Sequence, residues 1–164
     1  MIICMKYYLE KGDIMDIISK DHIFLDEDLK TRDSVIEFIA KNAEQLGISD
    51  DSEETEKDLW ERENSFATSI DSILAIPHAK SESIKVASIL MITTKEIIPW
   101  GDAKVDLIIS LLIPKENKDN LHLTLLSKLS AKLMDDDFVR FLKTEKNKEE
   151  ICKVILKTIS AKEN

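Results

Sequence analysis

The spacing of apolar residues changes period along the chain, and the changes mark out its elements. From Thr31 to Gly47, the residues Val35, Ile36, Ile39, Ala43 and Leu46 recur every three or four positions, as on one face of a helix, with Thr31 as N-cap and Gly47 as stop. A second helix is predicted over 51–64, opened by Asp51 with Glu54 three residues on, with Leu59 and Trp60 on its buried side and Arg62 in its last turn. Residues 65–72, SFATSIDS, read as a loop. The run 73–76 and the longer runs 84–92 and 105–114 are rich in β-branched and aliphatic residues and fit strands with one or both faces buried. Helical spacing returns over 120–134, 135–144 and 147–160, the last with Asn147 and Glu150 spaced as a capping box. Strands in the middle with helices before and after describe an α/β layer structure.

Length and charge narrow the function classes. A chain of 164 residues is about one domain long, and such a domain buries roughly 68–70% of its unfolded surface, enough for a core without staples. The reading is a single domain over 1–164, with residues 1–13 as a short N-terminal extension. Against 23 Lys plus Arg stand 32 Asp plus Glu, a formal net charge of -9, which repels nucleic acid and anionic lipid and suits a basic protein partner. Cys4 and Cys152 lie far apart without CxxC spacing, so neither a disulfide framework nor a zinc site is expected, and a reducing cytoplasm is. No apolar stretch approaches the roughly 20 residues of a membrane helix.

Three histidines are the candidate chemistry. In SILAIPHAK, an apolar run is stopped by Pro77, which cannot donate to a ladder, so His78 is expected at a strand end within reach of a partner. His122 falls between Leu129 and Leu133 on the apolar stripe of its helix, which points it inward. Periodicity alone favours a hydrogen-bonded core histidine there. Its place in the first helical turn favours a neutral imidazole beside an anion site. His22, beside a charged stretch, reads as an ordinary surface or strand-end residue. The histidines lack the spacing of HExxH or a zinc finger, and with three glycines in the whole chain neither GxGxxG nor GxxxxGK[ST] is present. No GxSxG elbow exists. The run Asp135-Asp136-Asp137 opens a helix, where carboxylates offset the dipole, and is read as capping.

The stretch 60–80, WERENSFATSIDSILAIPHAK, resembles the active-site segment of the fructose/mannitol (type 2) enzyme IIA family of the bacterial phosphoenolpyruvate-dependent phosphotransferase system, which includes nitrogen-regulatory paralogues. In that family an Arg-Glu pair ends a helix, a threonine follows in a loop, and a strand finishes in Pro-His. Here these are Arg62-Glu63, Thr68 and Pro77-His78, with the family's Arg-to-His separation of 16 (78−62). Trp100, the 105–114 strand and the helix with His122 extend the likeness over nearly all the chain from about Ile14. One difference stands out. The family's usual Thr-Gly-Ile-Gly is Thr68-Ser69-Ile70-Asp71 here, which removes two positions free to take positive φ and adds a carboxylate near the expected phosphoryl site.

The resemblance implies a three-layer α/β/α domain with a mixed sheet of four or five strands, of the phosphotransferase/anion transport protein type. It implies that His78 is the phosphohistidine nucleophile, accepting the phosphoryl group from the carrier protein HPr and yielding it to a cysteine on an enzyme IIB. Arg62 and Thr68 are then expected to bind phosphoryl oxygens, and His122 to hydrogen-bond the group or the neighbouring ring. No metal or other cofactor is expected, and no nucleic acid. A stand-alone, cytoplasmic IIA is the expectation, with any link to a membrane IIC running through IIB. A regulatory IIA whose phosphorylation state controls protein targets, or a binding module that kept the fold and lost the chemistry, are the alternatives.

Overall fold

The computed structural model describes residues 7–8, 14–15, 17–71, 73–116 and 120–160. Two short strands, β1 (Tyr7–Tyr8) and β2 (Ile14–Met15), pair with each other in antiparallel fashion. A 3-10 turn at Lys20–His22 leads into β3 (Ile23–Glu27), and helices α1 (Arg32–Gln45) and α2 (Ser52–Ser65) follow. Then come β4 (Ser69–Ile70), β5 (Leu74–Ala75), β6 (His78–Ser81), β7 (Ser88–Trp100) and β8 (Ala103–Pro114). Helices α3 (Leu121–Lys132), α4 (Asp136–Thr144) and α5 (Lys148–Ser160) close the described chain.

Local chemistry accounts for the helix ends. Thr31 caps α1 by accepting from Ser34 N at 3.0 Å, while the Ser34 hydroxyl accepts from Thr31 N. Asp51 accepts from Glu54 N, Asp135 from Asp137 N and Phe138 N, and Asn147 from Glu149 N and Glu150 N. Each offsets amide donors that a first helical turn leaves without partners. The acidic run at 135–137 is therefore a cap.

The sheet is mixed. Strands run in the order β3-β7-β8-β5-β4, with β6 also on β8; β3 lies parallel to β7, and β5 and β6 parallel to β8, while β7–β8 and β4–β5 are antiparallel. One face carries Leu74, Ile76, Ile89, Met91, Leu107, Ile109 and Leu111 and packs on α3, α4 and α5, where Cys152 is fully buried. The other carries Ala75, Ala79, Leu90, Ile92, Ile108 and Leu112 and packs on α1 and α2. This is the three-layer α/β/α arrangement. Among the described residues no helix is long and apolar enough to cross a membrane.

Five readings are corrected. Pro77 interrupts the ladder without ending it: its carbonyl accepts from Leu111 N at 3.2 Å, and β6 resumes beside β8 in the register of β5, with Leu74 opposite Leu107 and His78 opposite Leu111. His78 therefore begins a strand, and the sheet has six strands rather than four or five. Residues 69–70, read as loop, form β4, too short to show any period. β7 starts at Ser88 rather than 84 and runs on through polar residues to Trp100, because the hairpin with β8 supplies its hydrogen bonds regardless of pattern. His22 sits at a strand end but is buried, 8% exposed, with Nδ1 3.1 Å from Ile89 O. Cys4 lies outside the described residues.

Candidate active site

Strand alternation puts His78 on the α3 face of the sheet, in the parity of Leu74 and Ile76. Among the described strands β6 pairs with β8 alone, so its outer edge is open to α2. From the last turn of α2, Arg62 reaches that edge and its Nε lies 3.0 Å from His78 Nε2. On the other ring nitrogen, Nδ1 lies 2.7 Å from Ile76 O. Arginine can only donate, so the neutral ring must carry its proton on Nδ1, donated to the carbonyl, and its lone pair on Nε2. The geometry specifies one tautomer, with the lone pair on Nε2.

Electrostatics agree. Burial lowers the His78 pKa below its ordinary 6.5; the Arg62 and His122 charges push the same way, while the Ile76 hydrogen bond and Glu63 oppose them. The half-buried ring is uncharged at neutral pH, with a lone pair free on one nitrogen. The charges that act on it are those of Arg62, Glu63 and His122. His122, in the first turn of α3, adds the smallest of these influences, and its own pKa is lowered by burial and by Lys80. Its Nδ1 is buried with no hydrogen-bond partner, and Asn120, the residue ahead of α3, sits at φ 52 and makes no side-chain cap. Among the described residues, the α3 end leaves this one ring nitrogen without a hydrogen-bond partner.

The α2 end is the reverse. Glu63 is 3% exposed and accepts from Thr68 N at 3.1 Å, Thr68 Oγ1 at 2.6 Å and Trp100 Nε1 at 2.7 Å, with Arg32 Nη1 3.8 Å away. The hydroxyl proton of Thr68, expected to face a phosphoryl group, is directed to Glu63 in this state. Arg62 Nη1 donates to Phe66 O at 3.0 Å, which orients the fork. The sequence pairs Glu63 with Arg62 but does not assign it these partners. One signal was available: an acidic residue in the last turn of a helix opposes the dipole and calls for a separate reason.

The altered loop also has a clear geometry. Ser69 is an ordinary extended strand residue paired with Ala75, whereas Asp71 takes φ 50, the left-handed backbone a glycine would adopt without strain. Aspartate tolerates that region better than most residues. Asp71 is solvent-exposed. Among the described residues no group of three or more His, Cys, Asp or Glu side chains is placed to hold a metal ion.

Residues 16–158 match the family model described as "Phosphoenolpyruvate-dependent sugar phosphotransferase system, EIIA 2". The fructose-specific EIIA component of Haloferax volcanii is 28% identical over 154 residues, covering 92% of this chain and 99% of that one. Multiphosphoryl transfer protein 1 of Escherichia coli K12 is 29% identical over 133 residues, but the match spans only 16% of its length. Among solved structures, the nitrogen regulatory protein IIA-Ntr of Neisseria meningitidis superposes with a TM-score of 0.77 at 31% identity, over 85% of this chain and 96% of that one. The IIA of mannitol from Escherichia coli, at 17% identity and TM-score 0.69 over 84% of this chain and 98% of that one, shares the fold. The α/β/α chain with His78 at its sheet edge belongs to the EIIA 2 family of the phosphoenolpyruvate-dependent sugar phosphotransferase system, a family of phosphoryl-transfer components.

Proposed function

We propose that this protein is a phosphoryl carrier that accepts the group from phosphorylated HPr onto His78 Nε2 and passes it to an enzyme IIB. The observation that carries the reading is the tautomer lock on His78, with Nδ1–H on Ile76 O and Nε2 facing the Arg62 guanidinium. In the transfer, the Nε2 lone pair attacks phosphorus in line as the donor's N–P bond breaks, and the Nδ1 proton stays on the ring. The ring gains positive charge, which the Ile76 carbonyl dipole offsets. Arg62 moves its donor from the lone pair to a phosphoryl oxygen, where a planar cation is most useful. His122, with a buried Nδ1 lacking a partner, is the donor held ready on the opposite side. Thr68 would join only by turning its hydroxyl away from Glu63. Onward transfer reverses the steps, with a IIB thiolate as nucleophile.

A protein partner fits the surroundings. Phe66 (79% exposed), beside the carbonyl that holds Arg62, and Leu123 (56%), next to His122, present apolar side chains to solvent around the histidine. A solvated enzyme site has no use for them, whereas a docked protein would cover them. The likeness to IIA-Ntr supports a second reading, in which the phosphorylation state is read by regulatory targets rather than spent on a sugar.

Incubation with phosphoenolpyruvate, enzyme I and HPr should give one acid-labile phosphoryl group per chain, and His78→Ala should abolish it. Label retained in that variant overturns the assignment. Transfer of the label to a sugar-specific IIB separates uptake from regulation.

A further inference from the structure

Every contact that orients His78 leads back to one buried carboxylate. Glu63 fixes Thr68 at two points, the amide N–H and the hydroxyl. Thr68 in turn accepts Ile76 N–H at 3.0 Å on its carbonyl, and Ile76 O takes the His78 Nδ1 proton at 2.7 Å. A second arm runs through Arg62, the residue before Glu63. Its Nη1 is held by Phe66 O, two residues ahead of Thr68, so the segment that Glu63 pins also carries the carbonyl that aims the guanidinium at Nε2.

We infer that Glu63 is a positioning residue that sets both the tautomer of His78 and the aim of Arg62, with Thr68 as its relay. The inference rests on the reading of His78 as the phosphoryl acceptor. Glu63 itself lies one layer removed from the reacting atoms and touches none of them. Its chemistry explains why a carboxylate stands there. Thr68 N–H, Thr68 O–H and Trp100 Nε1–H converge on it, with Arg32 alongside, and two acceptor oxygens satisfy all of them. A glutamine offers one acceptor oxygen and would turn an N–H2 toward at least one of those donors. Trp100 and Arg32 come from β7 and α1, so the carboxylate is clamped by the fold while its free energy of desolvation is met by charge-assisted hydrogen bonds. Arg32 is itself steadied over the Trp60 ring, 5.1 Å from its centroid.

The test uses the full chain and needs no phosphoryl donor for its main reading. Nitrogen-15 NMR of the His78 imidazole at neutral pH should show the Nδ1–H tautomer in the native protein. Glu63→Gln should give a mixture of the two tautomers and slow phosphorylation by phospho-HPr on the order of 10–100-fold, as loss of supporting contacts does at other preorganised sites. Thr68→Val, which keeps the shape and removes the hydroxyl, should also mix the tautomers, while Thr68→Ser should restore the native ratio. A purely structural role would lower the melting temperature and leave the ratio in the folded protein alone. If Glu63→Gln does not fold, Thr68→Val decides. A native tautomer ratio in either folded variant overturns the inference. Failure of the native protein to accept phosphate would overturn the reading of the site instead, and the tautomer measurement would still judge Glu63.

Discussion

Side chains from two helices in opposite layers of the sandwich act on His78, Arg62 by a hydrogen bond and His122 by its charge, and they are prepared in opposite ways. At the end of α2, Arg62, Glu63 and Thr68 have their hydrogen bonds made within the chain, anchored on Trp100. At the start of α3, His122 keeps a buried Nδ1 without a partner beside a helix start lacking a side-chain cap. Buried polar groups are normally satisfied, and leaving one unpaired costs about 1–3 kcal/mol. On the proposed function, the difference is a division of labour: the α2 side holds the His78 ring in its resting geometry, and the α3 side keeps a donor for the incoming group.

Changes on the two sides should therefore separate. Arg62→Ala should be the largest, slowing phosphorylation on the order of 10³-fold, since it removes a donor to the phosphoryl group and also the resting contact that specifies the tautomer. His122→Ala should cost about 10²-fold in single-turnover rate while leaving the resting His78 nitrogen spectrum native. Because its Nδ1 has no partner to lose, its melting temperature should stay near that of the native protein, whereas a core histidine in a satisfied network would be destabilised by its loss. Equal effects of the two variants on the resting spectrum would break the comparison.

Trp100→Phe tests the anchor. It removes one donor to the buried Glu63, so it should destabilise the fold by about 1–3 kcal/mol in denaturant unfolding and slow transfer less than Arg62→Ala does. The histidines add a pH dependence. Both have folded pKa values lowered from 6.5 by burial, so the unfolded chain binds more protons just below that value. Stability should rise with pH through this window and be lost as pH falls from about 6.5 toward the lowered folded values. The rate should fall over the same range as the His78 lone pair is taken by a proton. A rate or stability that increases on acidification through this window contradicts both statements.

The smallest effect is expected at the altered loop. Asp71 pays for a left-handed backbone and is exposed, so Asp71→Gly should raise stability by about 1 kcal/mol or less and change the rate only a few-fold. A large acceleration would show that its carboxylate opposes the phosphoryl group through the solvent.

Helices were the most legible elements, because caps such as Thr31, Asp51 and Asp135 are local and the apolar spacing spans several turns. The long central strands were legible in type but not in extent: Thr93 and Thr94 lie in β7 opposite Leu107 and Glu27, partners distant in the chain that no local pattern encodes. Pro77 was misleading for a physical reason, since a missing donor interrupts a ladder that the flanking residues are free to resume. Within the site, the Arg62, Thr68 and His78 motif was visible as a resemblance, and the structure brings Arg62 to the His78 ring while Thr68 joins it through Ile76. What the sequence could not convey was how they are held, because the Glu63 contacts to Trp100 and Arg32 join residues far apart in the chain.

The central claim is that the phosphoryl group goes to one nitrogen of one histidine. Nitrogen-15 and phosphorus-31 NMR of the protein phosphorylated through enzyme I and HPr tests it most directly. The geometry predicts a single phosphohistidine with the phosphorus coupled to Nε2 of His78 and the proton retained on Nδ1. Phosphorus on Nδ1 of His78, or on His122, would contradict it.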